Sequence, residues 1–513
     1  MAAESADVVI VGAGPCGSLV ASELASRGAS VLVLEAGSRF EAADLKNREA
    51  NAGQILWNEP RVYAGEHPIV PKAGIGVGGG TLAWLGVMPR FHPADFRTHT
   101  TEGVGADWPI GYQDLRPYYE KVEREFGVAG ECGPFAPEPY TLPMPPHRMN
   151  WHAEVLARGA RRLGAQPFAP PIAINSVAYD GRPACCYCGW CGSGCSSGAK
   201  ATGANTYLAR AEQGGARVTS RAFAHRLTYD AAKGRITAVE YLDGSGHEHQ
   251  ARARLVVLAA HAFETPRLLL LSANGTFPEG LANGSGQVGR NFMSHPTWQV
   301  FGTFDEPIHA WKGMQMGHVM VQDYYRADPV NGYARGFILL SYMMTPATYA
   351  NLSGSFYGTE FKDFLHDYSR TAAWWACAEG LPHEGNAVTL EPEVKDARGL
   401  PVARLTYAWG ENDLRLSAAA RDKAAEMMSA SGARAVRIGL NYGAHAMGSC
   451  RMGDDPARSV VDRFGRAHDI PNLFVCDTSV FVTGAGLNPT LTAMALSARS
   501  AEHIAESVRR GEI

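Results

Sequence analysis

The sequence predicts an α/β fold: a parallel sheet wound around a dinucleotide site, joined to a discontinuous α+β domain on an antiparallel sheet. Three observations predict it. Residues 8–37 hold strand, glycine turn, helix and second strand in one compact unit. Residues 297–435 hold alternating polar and apolar runs, which suggest a domain on an antiparallel sheet. The chain has 513 residues, more than one core usually supports, so two intertwined or sequential domains are expected.

In the opening unit, the apolar run Val8 to Val11 reads as a buried strand, followed by Gly12, Gly14 and Gly17 in the spacing G-x-G-x-x-G. Gly12 allows the tight turn, Gly14 lets the backbone approach a pyrophosphate, and Gly17 lets helix and strand pack closely. Ser18 to Leu24 continue as a helix whose free N–H groups face phosphate oxygens, and Gly28 stops it. Val31 to Leu34 is a second strand ending in Glu35, 23 residues after Gly12, where a carboxylate can accept ribose hydroxyls. Together these make a Rossmann-like dinucleotide site.

Bulk properties narrow the function classes. Apolar residues make up 46% of the chain, the net charge is −4 and Lys/Arg are scattered, so nucleic acid and anionic membrane surfaces are not expected partners. No apolar run reaches the ~18–20 residues of a membrane span, so direct membrane insertion is not expected. Met1 stands almost directly before the first strand, which makes cytoplasmic residence the plain expectation. Periplasmic residence by co-export with a signal-bearing partner would read identically. Of the ten cysteines, five lie between Cys185 and Cys195, the mark of a local site and not of a disulfide framework.

A second glycine cluster runs from Gly74 to Arg90 (GIGVGGGTLAWLGVMPR), where absent side chains let backbone lie against a flat or phosphorylated group. With the opening motif and DWPIGYQDLRPYYEKVEREFGV (Asp107 to Val128), this loop resembles the glucose–methanol–choline (GMC) flavoenzymes. Within them it is most similar to the catalytic subunits of bacterial FAD-dependent glucose, sorbitol and gluconate dehydrogenases. The resemblance implies FAD, held by Gly12, Gly14, Gly17, Glu35, Ala36, Gly78, Gly79, Thr81 and Trp84. No second strand–G-x-G-x-x-G–helix unit supplies a separate nicotinamide site. Pyranose oxidases attach flavin to a histidine beside the matching tryptophan; here Ala83 precedes Trp84, so non-covalent FAD is expected. The implied FAD-binding domain comprises 1–95, 176–296 and 436–513, and the substrate or cap domain 96–175 and 297–435.

Cys185, Cys188, Cys191 and Cys195 have the spacing C-x2-C-x2-C-x3-C, used for iron–sulfur ligation, although serine follows the last cysteine where ferredoxins have proline. The resembling dehydrogenases carry a three-iron, four-sulfur cluster on C-x5-C-x3-C, which maps onto Cys185, Cys191 and Cys195. Cys188 is an extra thiol, which leaves a 3Fe-4S and a 4Fe-4S cluster both open. A four-thiolate zinc site and metal-free thiols are the competing readings of segment 185–195.

Family likeness sets Phe223 against the adenine and Glu264 close to the cofactor's wall. QVGRNFMSHP resembles the family's G-x-N-x-x-D-H with Ser294 in place of the acid; Asn291 and His295 read either as neighbours of the flavin edge or as turn and cap residues. Trp374 and Trp375 read as a sugar-stacking surface or simply as core.

The C-terminal block from Asn441 matches the family's last segment, which implies His445 as the base and Asn488 as its partner. Taking a hydroxyl proton while the adjacent C–H points at a flavin suits a neutral imidazole. Asn488-Pro489-Thr490 reads as a helix start whose positive end faces the flavin, and Asp477 takes the family's position near the pyrophosphate–ribityl region.

The expected reaction is oxidation of an alcohol group of a sugar, glycoside or related polyol. Electrons would pass to an external protein, cytochrome or quinone-like acceptor by way of an iron–sulfur cluster, with a small partner subunit. The rivals are an oxidase that returns electrons to dioxygen as peroxide and a flavin-containing hydroxynitrile lyase.

Overall fold

The computed structural model describes residues 4–67, 73–326, 329–352 and 357–512. Its first strand, Glu4–Val11, pairs in parallel with Val31–Glu35 on one side and with Glu248–Leu258 on the other. Arg217–Ser220 adds beyond Val31–Glu35, and Leu473–Val475 pairs with Glu248–Leu258. Antiparallel strands Arg235–Leu242 and Phe223–Asp230 complete a seven-stranded sheet. Val9 and Ile10 are wholly buried, each in a different hydrophobic core on the two faces of the strand, which explains the uninterrupted apolar run.

The helix Pro15–Ala25 starts with proline in its first turn, where a missing N–H costs nothing, and the C-terminal helix Thr490–Arg510 packs against it. Gly17 has the role its spacing suggests. A Cβ there would lie 2.1 Å from the Gly12 carbonyl oxygen, so only glycine lets helix and turn close up.

The second sheet has five antiparallel strands in the order Ala435–Met447, Met293–Thr303, Thr371–Ala378, Phe337–Tyr342, Met316–Val321. Strands Met293–Thr303 and Ala435–Met447 run across the positions 296/297 and 435/436 at which the sequence suggests a change of domain. Strand pairing carries the sheet through both positions. Helices Glu411–Ala430 and Trp151–Arg162 cover one face. The second begins at Asn150, whose side chain accepts the Ala153 N–H at 3.0 Å.

Alternation along Thr371–Ala378 sorts side chains by face. Trp374, Ala376 and Ala378 join the core beneath the helices, whereas Trp375 and Cys377 point into the main core shared with the first sheet. A three-stranded sheet of Ala387–Lys395, Pro401–Thr406 and Val62–Ala64 ties the two halves together. Among the described residues, no helix is long and apolar enough to cross a membrane.

Candidate active site

A long cavity follows the ends of the parallel strands and runs to the five-stranded sheet. Of the residues expected at the cofactor, Gly12, Gly14, Glu35, Ala36, Gly79, Thr81, Trp84, Phe223, Asp477, Pro489 and Thr490 line it. Gly17, Gly78 and Asn488 do not. Gly17 acts by packing. Gly78, at φ +113°, donates its N–H to the Ala13 carbonyl at 2.9 Å and so fastens the second glycine loop to the first. The loops meet backbone to backbone: a Cβ on Gly79 would lie 2.6 Å from the Gly14 Cα.

Glu35 does more structural work than the ribose role expected of it suggests. Its Oε1 accepts the N–H groups of Gly37 (2.9 Å) and Gly76 (3.1 Å), and its Oε2 accepts that of Ala13 (2.9 Å). The carboxylate therefore pins both glycine loops; Oε2, with one bond, keeps a lone pair for the cavity. Burial raises its pKa against these three donors. Asp477 is similarly engaged: Oδ2 accepts from the His261 N–H and the Thr265 hydroxyl, and Oδ1 from the Ser479 N–H. It therefore caps the helix His261–Leu271 while bordering the cavity.

The sequence gives no local signal for Trp57, Arg61 and His261 as cavity residues, yet all three line it. Their Nε1, Nε and Nδ1 atoms, with Thr478 Oγ1, are buried without a protein partner. Orphaned donors and acceptors along one cavity call for a polar ligand, because leaving each unsatisfied costs about 1–3 kcal/mol. Glu264 pairs with Arg61 at 2.9 Å and with Arg267 at 3.0 Å, while Arg398 stacks 4.2 Å over Phe223.

At the far end stands His445. It lies in strand Ala435–Met447 at φ +58°, inside an irregularity between Ala444 and Met447. An irregularity of this kind re-aims a side chain, here into the cavity. Its Nε2 is 3.2 Å from Asn488 Nδ2, and its Nδ1 is 2.9 Å from His295 Nδ1. Register explains the second contact, since His295 pairs across the strands with Ala444.

His295 Nε2 is 3.3 Å from the Gly484 carbonyl, an acceptor only, so Nε2 carries the His295 proton and Nδ1 is its lone pair. His445 must then donate from Nδ1, which leaves Nε2 as the free base toward the cavity. Burial, and then the neighbouring His295, hold the His445 pKa well below the ordinary histidine value. Burial pushes His295 down to about 4. Trp375 stands edge-on to His445 at 5.8 Å, its indole N–H held by the Tyr442 hydroxyl, whereas Trp374 is wholly buried in the other core. Asn291 serves as a turn residue, at φ +58° with its amide on Gln287.

The cysteine segment lies on the other side of the loop Gly79–Leu82. Lys200, fully buried and pushed down to about 8 by burial, donates to the carbonyls of Leu82 (2.9 Å), Trp84 (2.9 Å) and Cys191 (2.5 Å). It thus bridges the cavity wall and the cysteines. Cys191 is buried, Cys185 and Cys195 are half-buried, and Cys188 is exposed. Burial opposes ionisation of Cys195, but the Ser197 hydroxyl, the Lys200 backbone N–H and the Lys200 ammonium outweigh it and lower its pKa.

Family models described as GMC oxidoreductase match residues 6–297 and 382–497. The chain belongs to the GMC oxidoreductase family. It is 34% identical to the fructose dehydrogenase large subunit of Gluconobacter japonicus, over 99% of both chains. It is 32% identical to paromamine 6'-oxidase of Streptomyces fradiae, over 97% of this chain and 91% of the other. Pyridoxine 4-oxidase from Mesorbium loti shares the fold, with a TM-score of 0.70 at 20% identity over 97% and 98% of the two chains. GMC oxidoreductases bind FAD. The cavity fits that group: glycine-lined backbone where a pyrophosphate would lie, the free Glu35 lone pair, and orphaned polar atoms along its length.

Proposed function

We propose that this GMC oxidoreductase oxidises an alcohol group of a sugar, glycoside or related polyol to a carbonyl. One observation supports this above the others: the His445 tautomer is fixed so that its only lone pair, on Nε2, faces the cavity beside Asn488. Non-covalently bound in the cavity, FAD supplies the two-electron acceptor for the hydrogen on the alcohol carbon. An entering hydroxyl takes the place of the Asn488 amide on Nε2 and donates its proton there. Asn488 then holds the alcohol oxygen from its Nδ2 without competing for that proton. The resulting imidazolium keeps its Nδ1–H on His295. Helix Thr490–Arg510 starts at the cavity wall, where its N-terminal end would favour negative charge on a bound cofactor.

Anaerobic mixing with alcohols of this class should bleach the flavin, and His445→Ala should slow bleaching ~10²–10⁴-fold with FAD retained. A lyase substrate would leave the flavin oxidised. Substrate-dependent peroxide at the rate of turnover would favour the oxidase reading, which the likeness to paromamine 6'-oxidase keeps in view.

The electrons, in this proposal, leave to an external protein, cytochrome or quinone-like acceptor with a small partner subunit, and Cys185, Cys191 and Cys195 hold an iron–sulfur cluster. Among the described residues, no three of the segment's thiols lie within 4.8 Å of one another. A single zinc ion needs that closeness, whereas a multi-iron cluster stands between its cysteines and keeps them farther apart. The Cys195 pKa is lowered, and exposed Cys188 shares a hydrogen bond with its neighbour Cys186, which favours the three-cysteine type. The cluster would supply a one-electron carrier beside the cavity wall. Iron and acid-labile sulfide on anaerobically purified protein test this. Near three irons per flavin, kept in Cys188→Ser and lost in Cys191→Ser, is expected; full FAD without iron would sink it.

A further inference from the structure

Cys377 has no part in the reaction above, yet it projects from the face of strand Thr371–Ala378 that meets the base. Its Sγ lies 3.5 Å from His295 Nδ1, which is 2.9 Å from His445 Nδ1. The three ligand atoms all lie within 4.8 Å of one another. They come from three adjacent strands of the five-stranded sheet, so the ladder holds their spacing. A tetrahedral zinc ion with ordinary Zn–N and Zn–S lengths sets nitrogens about 3.4 Å apart and nitrogen and sulfur about 3.6 Å apart. The sulfur already stands at that distance from His295, within 4.8 Å of the His445 nitrogen, and the imidazoles need to part by about 0.5 Å. Two imidazoles and a thiolate suit borderline or soft transition metals and leave a fourth position open.

We propose that His295, Cys377 and His445 form a binding site for a thiophilic transition-metal ion, with zinc(II) as the type case, whose occupancy switches off the base. The ion takes the His295 Nδ1 lone pair, the Cys377 thiolate and His445 Nδ1. The Cys377 proton goes to solvent and the His445 proton moves from Nδ1 to Nε2. One proton leaves per ion, the imidazole stays neutral, and no electron moves. With hydrogen on Nε2, His445 has no lone pair for an alcohol. Asn488 Oδ1, buried without a protein partner, can turn to accept that hydrogen. The binding stands on geometry alone, whereas the inhibition rests on His445 acting as the base.

The test uses the FAD-loaded, chelator-treated protein and Cys377→Ala, with Cys377→Ser as a second variant should alanine impair folding. Cobalt(II) should give a thiolate-to-cobalt absorption band in the wild-type minus variant difference. Metal taken up by the 185–195 cysteines is common to both proteins and cancels. Buffered zinc(II) should abolish flavin reduction by an alcohol in the wild type with FAD still bound. Each variant, judged against its own metal-free rate, should be at least tenfold less sensitive. Absence of the cobalt difference band would overturn the site. A band without loss of alcohol oxidation would leave the site standing and overturn the tautomer coupling, and with it His445 as base.

Discussion

Removing the acceptor behind the base tests the site most sharply. In His295→Leu, the His445 Nδ1–H loses the partner now 2.9 Å away and no longer has its tautomer fixed. In the ground state that bond joins two neutral rings. Once His445 takes the alcohol proton it becomes charge-assisted, and such bonds contribute about 1.5–3 kcal/mol against about 1 for neutral ones. The differential of about 0.5–2 kcal/mol falls on the transition state, so flavin reduction at saturating alcohol should slow by ~2–30-fold. Stopped-flow reduction without oxygen measures this directly and separates the limiting rate from substrate affinity, which should stay within about twofold. His295→Gln, whose carbonyl can accept from Nδ1, should recover most of the loss. The double variant His295→Leu/His445→Ala should be no slower than His445→Ala alone, because the two residues act as one unit. A wild-type limiting rate in His295→Leu, or additive losses in the double variant, would refute the tautomer argument.

Three further outcomes are expected. Gly17→Ala puts a methyl 2.1 Å from the Gly12 oxygen, so the turn must open and FAD content on purification should fall sharply; a fully loaded, equally stable variant would contradict the packing role. Burial pushes His261, His295 and His318 down to about 4, so below ~6.5 the unfolded chain binds more protons than the folded one. Stability is therefore complete above ~6.5 and drains toward pH ~4 by on the order of 3 kcal/mol per histidine; a melting temperature flat across that window would count against it. Lys200→Met strips the ammonium from three buried carbonyls and should cost about 3 kcal/mol or more, seen as release of flavin fluorescence at lower temperature than in the wild type.

The first nucleotide-binding unit was legible because its determinants are local. Gly12, Gly14 and Gly17 act through turn geometry and a helix a few residues away, and strand Val31–Glu35 follows within one crossover. The second sheet was legible in class from its alternating polar and apolar runs, although strands such as Thr371–Ala378 are buried on both faces. Its extent was not, because the pairings of Met293–Thr303 and Ala435–Met447 leave no mark in composition.

His445, Asn488 and the glycine loops came from motif likeness, and the cavity brings most of them together. What the sequence left open was decided by contacts between distant segments. Whether Trp374 or Trp375 meets the site depended on which face of one strand turns inward, and only Trp375 does. Glu35 was readable as an acid after a strand, but that its oxygens tie both glycine loops depended on Gly76, 41 residues on. His295 and His445 lie 150 residues apart and meet only through strand register, as does Cys377 with both. Sequence by itself determined the chemistry available, one imidazole base beside a dinucleotide site. Tertiary structure alone decided which nitrogen of that imidazole is free, because a tautomer is set by the partner on the opposite side of the ring.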